Sequence, residues 1–133
     1  MQNSKLLSIL LCAIFINFII SCAGTGIKRE AESEFEVGLA LFNQGQYEES
    51  MEHFERSTEL NPEFGRSYLY IGRVYLNIGK WQEALPPLRT AFRLAPEESN
   101  KEIAEILMDI FFKNASKLDQ DTQSQFMDLL KLK

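Results

Sequence analysis

Two stretches of the chain follow one pattern: residues 38–62 read GLALFNQGQYEESMEHFERSTELNP, and residues 72–96 read GRVYLNIGKWQEALPPLRTAFRLAP. The second stretch follows the first at an offset of 34 residues. This offset aligns residues of like size or like backbone chemistry: Gly38 with Gly72, Gly45 with Gly79, Phe54 with Leu88, and Pro62 with Pro96. Periods of about 20 to 50 residues are typical of repeat proteins, so the sequence predicts two copies of one supersecondary unit.

Each copy is predicted to form two helices joined by a turn. In the first copy, a glycine, Gly45, follows a mostly apolar stretch and is a helix-stop signal. The apolar residues of that stretch are Phe35, Val37, Leu39, Ala40, Leu41 and Phe42. An apolar pattern with a period of 3.6 residues then resumes over residues 47–60, which indicates a second helix. The same reading of the second copy predicts helices over residues 68–78 and 82–94.

Two adjacent prolines, Pro86 and Pro87, depart from this pattern. If their helix begins near Gln82, both lie near the end of its first turn, where a proline lacks an N–H and crowds the preceding turn. We predict a local kink or a late helix start. Two interpretations remain open, a tolerated pair of prolines early in a helix and a surface shaped for a partner.

The C-terminal third, residues 99–133, is predicted to form a degenerate third unit. Residues 99–102 resemble a helix-capping box, and Ile103-Ala104 matches Ile71-Gly72 when the period shortens to 32 residues. We expect one helix over residues 100–113 and a second over residues 121–132. The end of a solenoid needs a unit with a polar outer face, so we expect the last helix to cap the stack.

The repeats resemble the tetratricopeptide repeat (TPR), a 34-residue helix hairpin with a large–small residue pair, a turn glycine, two alanines around an aromatic residue, and a final proline. The first copy carries this pattern as Val37-Gly38, Gly45, Ser50, Phe54, Ser57 and Pro62, and the second as Ile71-Gly72, Gly79, Ala84, Leu88, Ala91 and Pro96. The resemblance implies an all-α helix-hairpin solenoid with full repeats at residues 31–64 and 65–98, followed by the degenerate third unit with its capping helix.

The resemblance also implies a groove for an extended peptide or a partner helix, lined by the first helix of each hairpin. The residues placed in it are Phe35, Leu39, Phe42, Asn43, Leu69, Arg73, Leu76 and Asn77. The asparagine amides would bond a peptide backbone, the phenylalanines would anchor apolar side chains, and the arginine would meet a carboxylate. The alternative is that the Phe and Leu side chains pack on neighbouring helices and each Asn merely ends a helix.

One binding mode of this family is not expected here. The family's clamp for a terminal carboxylate uses Asn and Lys or Arg one turn earlier in the helices. This chain has Glu36 and Tyr70 at those places, so chaperone-tail binding of that type is not predicted.

The N-terminal residues are predicted to form a targeting segment. Lys5 precedes fifteen mostly apolar residues, LLSILLCAIFINFII at residues 6–20, which is shorter than the roughly 20 residues of a comfortable membrane span and typical of a signal peptide. Residues 19–22, Ile-Ile-Ser-Cys, resemble a bacterial lipobox. That resemblance implies removal of residues 1–21, a diacylglycerol on the Cys22 thiol and a fatty acyl group on its amine. An ordinary signal peptide and an uncleaved anchor are the alternatives.

Residues 22–30 are predicted to be the acylated cysteine and a short tether. In lipoproteins of diderm bacteria, a residue other than Asp after the cysteine usually directs transport to the outer membrane, and Ala23 fits that rule. We therefore expect a lipid-anchored protein of the bacterial envelope, at the outer membrane and facing the periplasm.

Composition argues against several classes of function. The 133 residues carry 14 Lys+Arg against 19 Asp+Glu, a net charge of -5, whereas a nucleic-acid binder needs a basic face. A single histidine, His53, and two cysteines cannot supply a His- or Cys-rich zinc site or a disulfide framework. The acidic helix face of Glu48, Glu49, Glu52 and Glu55 is predicted to be solvated, with a metal site as the alternative. We expect no cofactor, no metal and no small-molecule substrate.

These features together predict a non-enzymatic adaptor that recruits a protein partner in envelope assembly, secretion or pilus-type machinery. The alternative is an accessory binding subunit of an envelope enzyme complex, for example in peptidoglycan remodelling.

Overall fold

The structure is a computed structural model that describes residues 26–94 and 97–131. Six helices occur in these residues: α1 over residues 26–43, α2 Tyr47–Leu60, α3 Gly65–Asn77, α4 Trp81–Leu94, α5 Glu97–Asn114 and α6 Gln120–Leu130, with a 3-10 turn at Ala115–Lys117. No strand is present in the described part of the chain, and the predicted all-α helix-hairpin solenoid is confirmed. The predicted leader and Cys22 lie outside the described residues.

Glycines end the first helix of both hairpins. Gly45 and Gly79 each have φ of 78°, a left-handed backbone that a residue with a Cβ adopts only with strain. The N–H groups of Gln46 and Lys80 then reach back to the carbonyls of Leu41 and Tyr75, at 3.0 and 2.8 Å. This hydrogen-bond pattern satisfies carbonyls that the helix end leaves free, and both copies use it.

Two other glycines let the helices of each hairpin approach closely. A Cβ on Gly38 would lie 2.8 Å from the ring of Phe54, and a Cβ on Gly72 would lie 2.5 Å from the side chain of Leu88. Both neighbours are fully buried. The repeat places a glycine on the first helix opposite a large side chain on the second, at the same position in both copies.

The buried apolar side chains form two clusters that meet at α3. The first cluster joins α1, α2 and α3 through Phe35, Phe54, Ile71 and Val74. The second joins α3 to the rest of the chain through Leu69, Leu76, Ala84, Leu85, Leu88, Ala91, Phe92, Leu107, Phe111, Leu118, Phe126 and Leu129. Since α3 contributes side chains to both clusters, it packs on the helices before it and on those after it, as expected of neighbouring units in a solenoid.

Buried serines stand in the first copy where the second has alanines. The Ser57 hydroxyl donates to the carbonyl of Ala31 at 2.7 Å and lies 2.7 Å from the Ser67 hydroxyl, which therefore donates to it. The Ser50 hydroxyl donates to the carbonyl of Tyr47 at 2.8 Å. Each buried hydroxyl is thus hydrogen-bonded, and Ser57 links α1, α2 and α3.

The third unit closes the stack with a capped helix. Leu107 and Phe111 of α5 and Phe126 and Leu129 of α6 are buried in the second cluster. The Asp119 carboxylate caps α6 by accepting from the hydroxyl of Thr122 at 2.7 Å and from its N–H at 2.9 Å. These bonds, the side-chain one foremost, hold the pKa of the Asp119 carboxyl below its usual value.

Several predicted boundaries were wrong. Helix α5 begins at Glu97, so residues 99–102 lie inside it and do not cap it. Residues 26–30, predicted as tether, are the exposed first turns of α1, because the stretch after Gly26 contains good helix formers and no proline. None of the described helices is both long enough and apolar enough to cross a membrane.

The predicted late start at the proline pair was also wrong. Helix α4 begins at Trp81 and runs through Pro86 and Pro87 to Leu94. Trp81 packs against the second core cluster, which fixes the helix start before the prolines. The Thr90 hydroxyl donates to the carbonyl of Pro86 at 3.2 Å.

Candidate functional site

Three of the eight residues predicted to line the groove are buried in the core. Phe35, Leu69 and Leu76 retain 0%, 8% and 4% of their exposed surface. The prediction that they face a partner is therefore corrected, because side chains so covered have almost no surface to offer. The alternative, that these Phe and Leu side chains pack on neighbouring helices, describes all three.

Phe35 is covered by aromatic rings from three other segments. Its ring centroid lies 5.6 Å from that of Phe54, 5.3 Å from that of Phe64 and 5.4 Å from that of Tyr70. The guanidinium of Arg66 lies 4.5 Å above the same ring. Edge-to-face rings and a cation over a ring face are stabilising arrangements, so Phe35 anchors α1 to the hairpin rather than to a partner.

A second group of aromatic residues lies at the surface between α1 and α3. Half-buried Phe42 has its ring 5.4 Å from Tyr47 and 5.3 Å from Tyr70, edge to face in both cases. The guanidinium of Arg73 lies 5.1 Å from the Phe42 centroid and 4.7 Å from the Tyr70 centroid. We call Phe42, Tyr47, Tyr70 and Arg73 the aromatic–arginine patch. Half-buried Leu39 packs against the first core cluster, that of Phe35, Phe54, Ile71 and Val74.

Arg73 is held in place by two ring faces. Its Nε atom is buried and has no hydrogen-bond partner among the described residues. A guanidinium carries five N–H donors in a rigid plane, and one held by aromatic rings loses less freedom when it binds. The arrangement suits a carboxylate, which accepts two parallel hydrogen bonds from such a fork.

The two predicted asparagines are exposed, but they differ in their hydrogen bonds. Asn77 donates from Nδ2 to the carbonyl of Arg73 at 2.8 Å, and its Oδ1 accepts from the Tyr47 hydroxyl at 3.3 Å. Its amide therefore ties α3 to the start of α2. Asn43 is the last helical residue of α1 and has no side-chain hydrogen bond within the described residues. Its exposed position at the helix end fits both predicted roles, a donor and acceptor for a peptide backbone and a residue that merely ends a helix.

Tyr47 and Tyr70 are the patch residues that the groove prediction missed. In the sequence, Tyr70 stands out only as the replacement of a clamp residue, whereas in the structure its ring contacts Phe35, Phe42 and Arg73. The signal in the sequence was the aromatic residue on each side of the first turn, Phe42 and Tyr47, which a helix hairpin brings together.

A second concave surface, which the sequence analysis did not predict, lies between α4 and α6. This α4–α6 cleft has a volume of about 740 Å³. Its lining residues are Gln82, Leu85, Pro86, Arg89, Thr90, Phe92, Arg93 and Gln125. Seven of these residues lie on α4, at spacings of three and four residues that place them on one side of the helix. The eighth, Gln125 of α6, forms the opposing wall.

The remaining polar candidates have structural roles. Nδ1 of half-exposed His53 lies 2.7 Å from Oε2 of Glu34, a pairing between α2 and α1. The acidic face of Glu48, Glu49, Glu52 and Glu55 is exposed to solvent, as predicted. No group of three His, Cys, Asp or Glu residues placed to hold a metal ion occurs in residues 26–94 and 97–131.

Comparison with known proteins agrees with this geometry. No curated protein matches the sequence. Among solved structures, the second TPR domain of Spaghetti (RPAP3), bound to an HSP90 peptide of sequence SRMEEVD, is similar with a TM-score of 0.60 and 22% sequence identity, over 83% of this chain and 96% of that chain. Residues 38–79 match the family model of the TPR repeat, and the described chain has the fold of a TPR helix-hairpin solenoid.

Proposed function

We propose that this protein is a lipid-anchored adaptor of the bacterial envelope that binds a protein or peptide partner through the groove face of α1 and α3. The TPR fold supports binding rather than catalysis, since the hairpins present a continuous surface built from several helices. The partner acts in envelope assembly, secretion or pilus-type machinery.

The aromatic–arginine patch is the observation that carries the binding proposal. Phe42 and Tyr70 offer apolar ring surface, and Arg73 offers a charge already positioned by those rings. Interfaces derive most of their affinity from a few such aromatic and arginine residues. Asn43, exposed beside the patch at the end of α1, adds a donor and an acceptor for a peptide backbone.

The similar TPR structure supports a peptide as the kind of partner. That protein is bound to the HSP90 peptide SRMEEVD, a short segment with three acidic residues. In the present chain, Arg73 would receive a carboxylate of the partner. Glu36 and Tyr70 occupy the places of the family's clamp for a terminal carboxylate, so we propose an internal acidic side chain rather than a chain terminus.

The lipid anchor rests on the lipobox-like residues 19–22 and on the start of the folded body. Within the described residues, helix is present from residue 26 onward, four positions after Cys22 in the sequence. Four residues reach about 15 Å at most, at roughly 3.6 Å per extended residue. The exposed Ile27, Lys28 and Arg29 in the first turns of α1 would then lie at the membrane surface, where apolar and basic side chains are favourable.

Metabolic labelling tests the anchor. Cells that express the full chain are grown with a clickable fatty-acid analogue, and we expect label on the wild type and none on Cys22→Ser. Label that persists on Cys22→Ser would contradict acylation at this cysteine.

Affinity capture from native envelopes tests the groove. We expect Phe42→Ala combined with Arg73→Ala to abolish capture of a partner that the wild type retains, while the far-ultraviolet circular dichroism spectrum keeps its helical amplitude. The matched control is Val37→Ala combined with Arg56→Ala, which removes an exposed apolar residue of α1 and an exposed arginine of α2 outside the patch.

Two results would overturn this proposal. Undiminished capture by the patch variant would place the partner on another face. Hydrolysis of an envelope substrate by the purified protein without partners would contradict the non-enzymatic role.

A further inference from the structure

The α4–α6 cleft has no role in the proposed function. Helix α4 is the second helix of its hairpin, so it does not contribute to the groove face formed by α1 and α3. The cleft is large enough, at about 740 Å³, to hold several side chains of a ligand. Its chemistry can therefore be considered independently of the aromatic–arginine patch.

Two unpaired cations stand in this cleft. Arg89 and Arg93 are exposed and lie four residues apart on α4, a spacing that brings their Cβ atoms to about 6 Å on one helix face. Neither makes an ion pair or a hydrogen bond with the described residues. Three exposed cations elsewhere in the described residues are paired, Arg56 with Glu59, Lys113 with Asp109 and Lys131 with Asp128, whereas Lys28, Arg29 and Lys80 are unpaired like the two cleft arginines. Two like charges this close repel each other, and an anion bound between them would relieve the repulsion.

Apolar side chains lie directly beside the two arginines. Pro86 adds an exposed ring to the cleft, and the aliphatic stems of the two arginines lie beside it, whereas Leu85 and Phe92 are largely covered by the second core cluster. This apolar surface favours a ligand that has at least one apolar side chain. A small inorganic anion would bind the arginines but make no apolar contact.

Acceptors in the cleft add a requirement for hydrogen-bond donors. Pro86 has no N–H, so the carbonyl of Gln82 lacks the donor that a helix would normally supply from four residues ahead. The Gln125 amide nitrogen donates to Asp121 at 2.8 Å, which leaves its carbonyl oxygen for a ligand. A peptide supplies backbone N–H donors together with carboxylates, whereas the glycerol phosphate of an anionic lipid supplies no N–H.

We propose that the α4–α6 cleft is a second binding site, for an acidic peptide segment in which carboxylates flank an apolar side chain. The carboxylates pair with Arg89 and Arg93, and the apolar side chain packs against the exposed ring of Pro86 and the aliphatic stems of the arginines. The site is independent of the lipid anchor and of the aromatic–arginine patch. A protein with both sites would join two partners, or two segments of one partner, at the membrane.

Fluorescence anisotropy with the full chain in detergent tests the proposal. The probe is a fluorescein-labelled peptide in which four Glu residues flank a central Phe. We expect saturable binding that weakens with added salt, and a loss of about 10-fold or more in affinity for Arg89→Glu combined with Arg93→Glu, since two charge pairs become repulsive. The charge-matched control is Lys28→Glu combined with Arg29→Glu, which changes two exposed cations of α1 and should bind like the wild type.

Further arms separate the sources of affinity. A peptide with Gln in place of each Glu should bind at least about 10-fold more weakly, and one with Ala in place of Phe should also bind more weakly. The Phe42→Ala and Arg73→Ala variant removes any binding of the probe at the aromatic–arginine patch. Binding that survives in this variant and is lost when Arg89→Glu and Arg93→Glu are added reports the cleft alone, so failure of the groove proposal and failure of the cleft proposal are distinguishable.

Four results would overturn the cleft site. The first two are unchanged probe binding by the Arg89→Glu and Arg93→Glu variant, and binding of the neutral peptide as tight as that of the acidic probe. The other two are displacement of the probe by inorganic phosphate as effective as displacement by unlabelled peptide, and preferential binding of phosphatidylglycerol vesicles over the peptide. Concentration-dependent self-association lost in the same variant, without peptide binding, would instead assign the cleft to a second copy of this chain.

Discussion

The two full repeats share one backbone arrangement, which we call the shared plan, and differ in the side chains that fill their interiors. Both close their first turn with a glycine of φ 78°, and both set a glycine against a large buried side chain. The first repeat fills its interior mainly with aromatic rings and has hydrogen-bonded serines, Ser50 and Ser57, at two positions of its second helix. The second repeat relies mainly on leucine, has alanine at those two positions, and buries one ring, that of Phe92. The plan therefore fixes backbone conformation and helix spacing, and it leaves the chemistry of the interior and the outer faces free to vary.

Truncation of the large residue opposite each packing glycine should have the largest effect. We expect Phe54→Ala to destabilise the fold by about 4 kcal/mol and Leu88→Ala by about 3 kcal/mol, because both side chains are fully buried and the truncation leaves a cavity. Phe54 should cost more since its ring also contacts Phe35 and Tyr70. Urea unfolding followed by circular dichroism measures both. A loss below about 1 kcal/mol at either position would contradict the shared packing plan.

Exchange of serine and alanine between the repeats sharpens the comparison. Ser57→Ala should cost about 1–2 kcal/mol, because it leaves the buried Ser67 hydroxyl without its acceptor. Ala91→Ser should cost less than about 1 kcal/mol, because the 34-residue offset assigns the carbonyl of Gly65 the role that the carbonyl of Ala31 has for Ser57, as acceptor of the new hydroxyl. The same unfolding experiment compares the two. A larger cost for Ala91→Ser than for Ser57→Ala would show that the two hairpins are not equivalent there.

Substitution of the turn glycines should affect both repeats alike. An added Cβ on Gly45 or Gly79 meets no other atom within 4 Å, so only backbone strain contributes. We expect Gly45→Ala and Gly79→Ala each to cost about 1 kcal/mol, the price of a left-handed conformation for alanine. Paired melting curves check this, and unequal shifts would point to a difference in turn geometry.

The smallest effect is expected in the third unit and depends on pH. Neither α2 nor α3 has a side-chain hydrogen bond at its N-cap, whereas α6 has Asp119. Because the folded-state pKa of Asp119 is lowered, its stabilisation is present above about pH 4 and is lost as pH falls through that lowered pKa. Asp119→Ala should therefore lower the melting temperature at pH 7 and have less effect at acidic pH. An equal effect at both pH values would contradict a charged cap.

The fold was largely predictable because its signals are local. The bounds of α2 follow from apolar periodicity between Gly45 and Pro62, and the glycine turns are set by backbone chemistry. The start of α5 was not predictable in the same way, since Ser99 offered a capping pattern that helix propensity overrode.

The candidate site was predictable only in part. Periodicity and the family resemblance place Phe35 and Phe42 on related faces of α1, yet only the packing of Phe64 and Tyr70 decides that Phe35 is covered. The α4–α6 cleft requires the position of α6, which no local pattern specifies. Whether a side chain is exposed therefore depends on tertiary packing, whereas helices and turns are determined by short stretches of sequence.

Photocrosslinking within native envelopes tests the central claim most directly, that the groove face of this TPR fold is the binding surface. A photoreactive residue replaces Asn43 at the exposed end of α1 in one protein, and exposed Glu55 on α2 in another. We predict a discrete covalent adduct with a partner polypeptide from position 43, lost when Arg73→Ala and Phe42→Ala are added, and none from position 55. An adduct from position 55 without one from position 43 would contradict the claim.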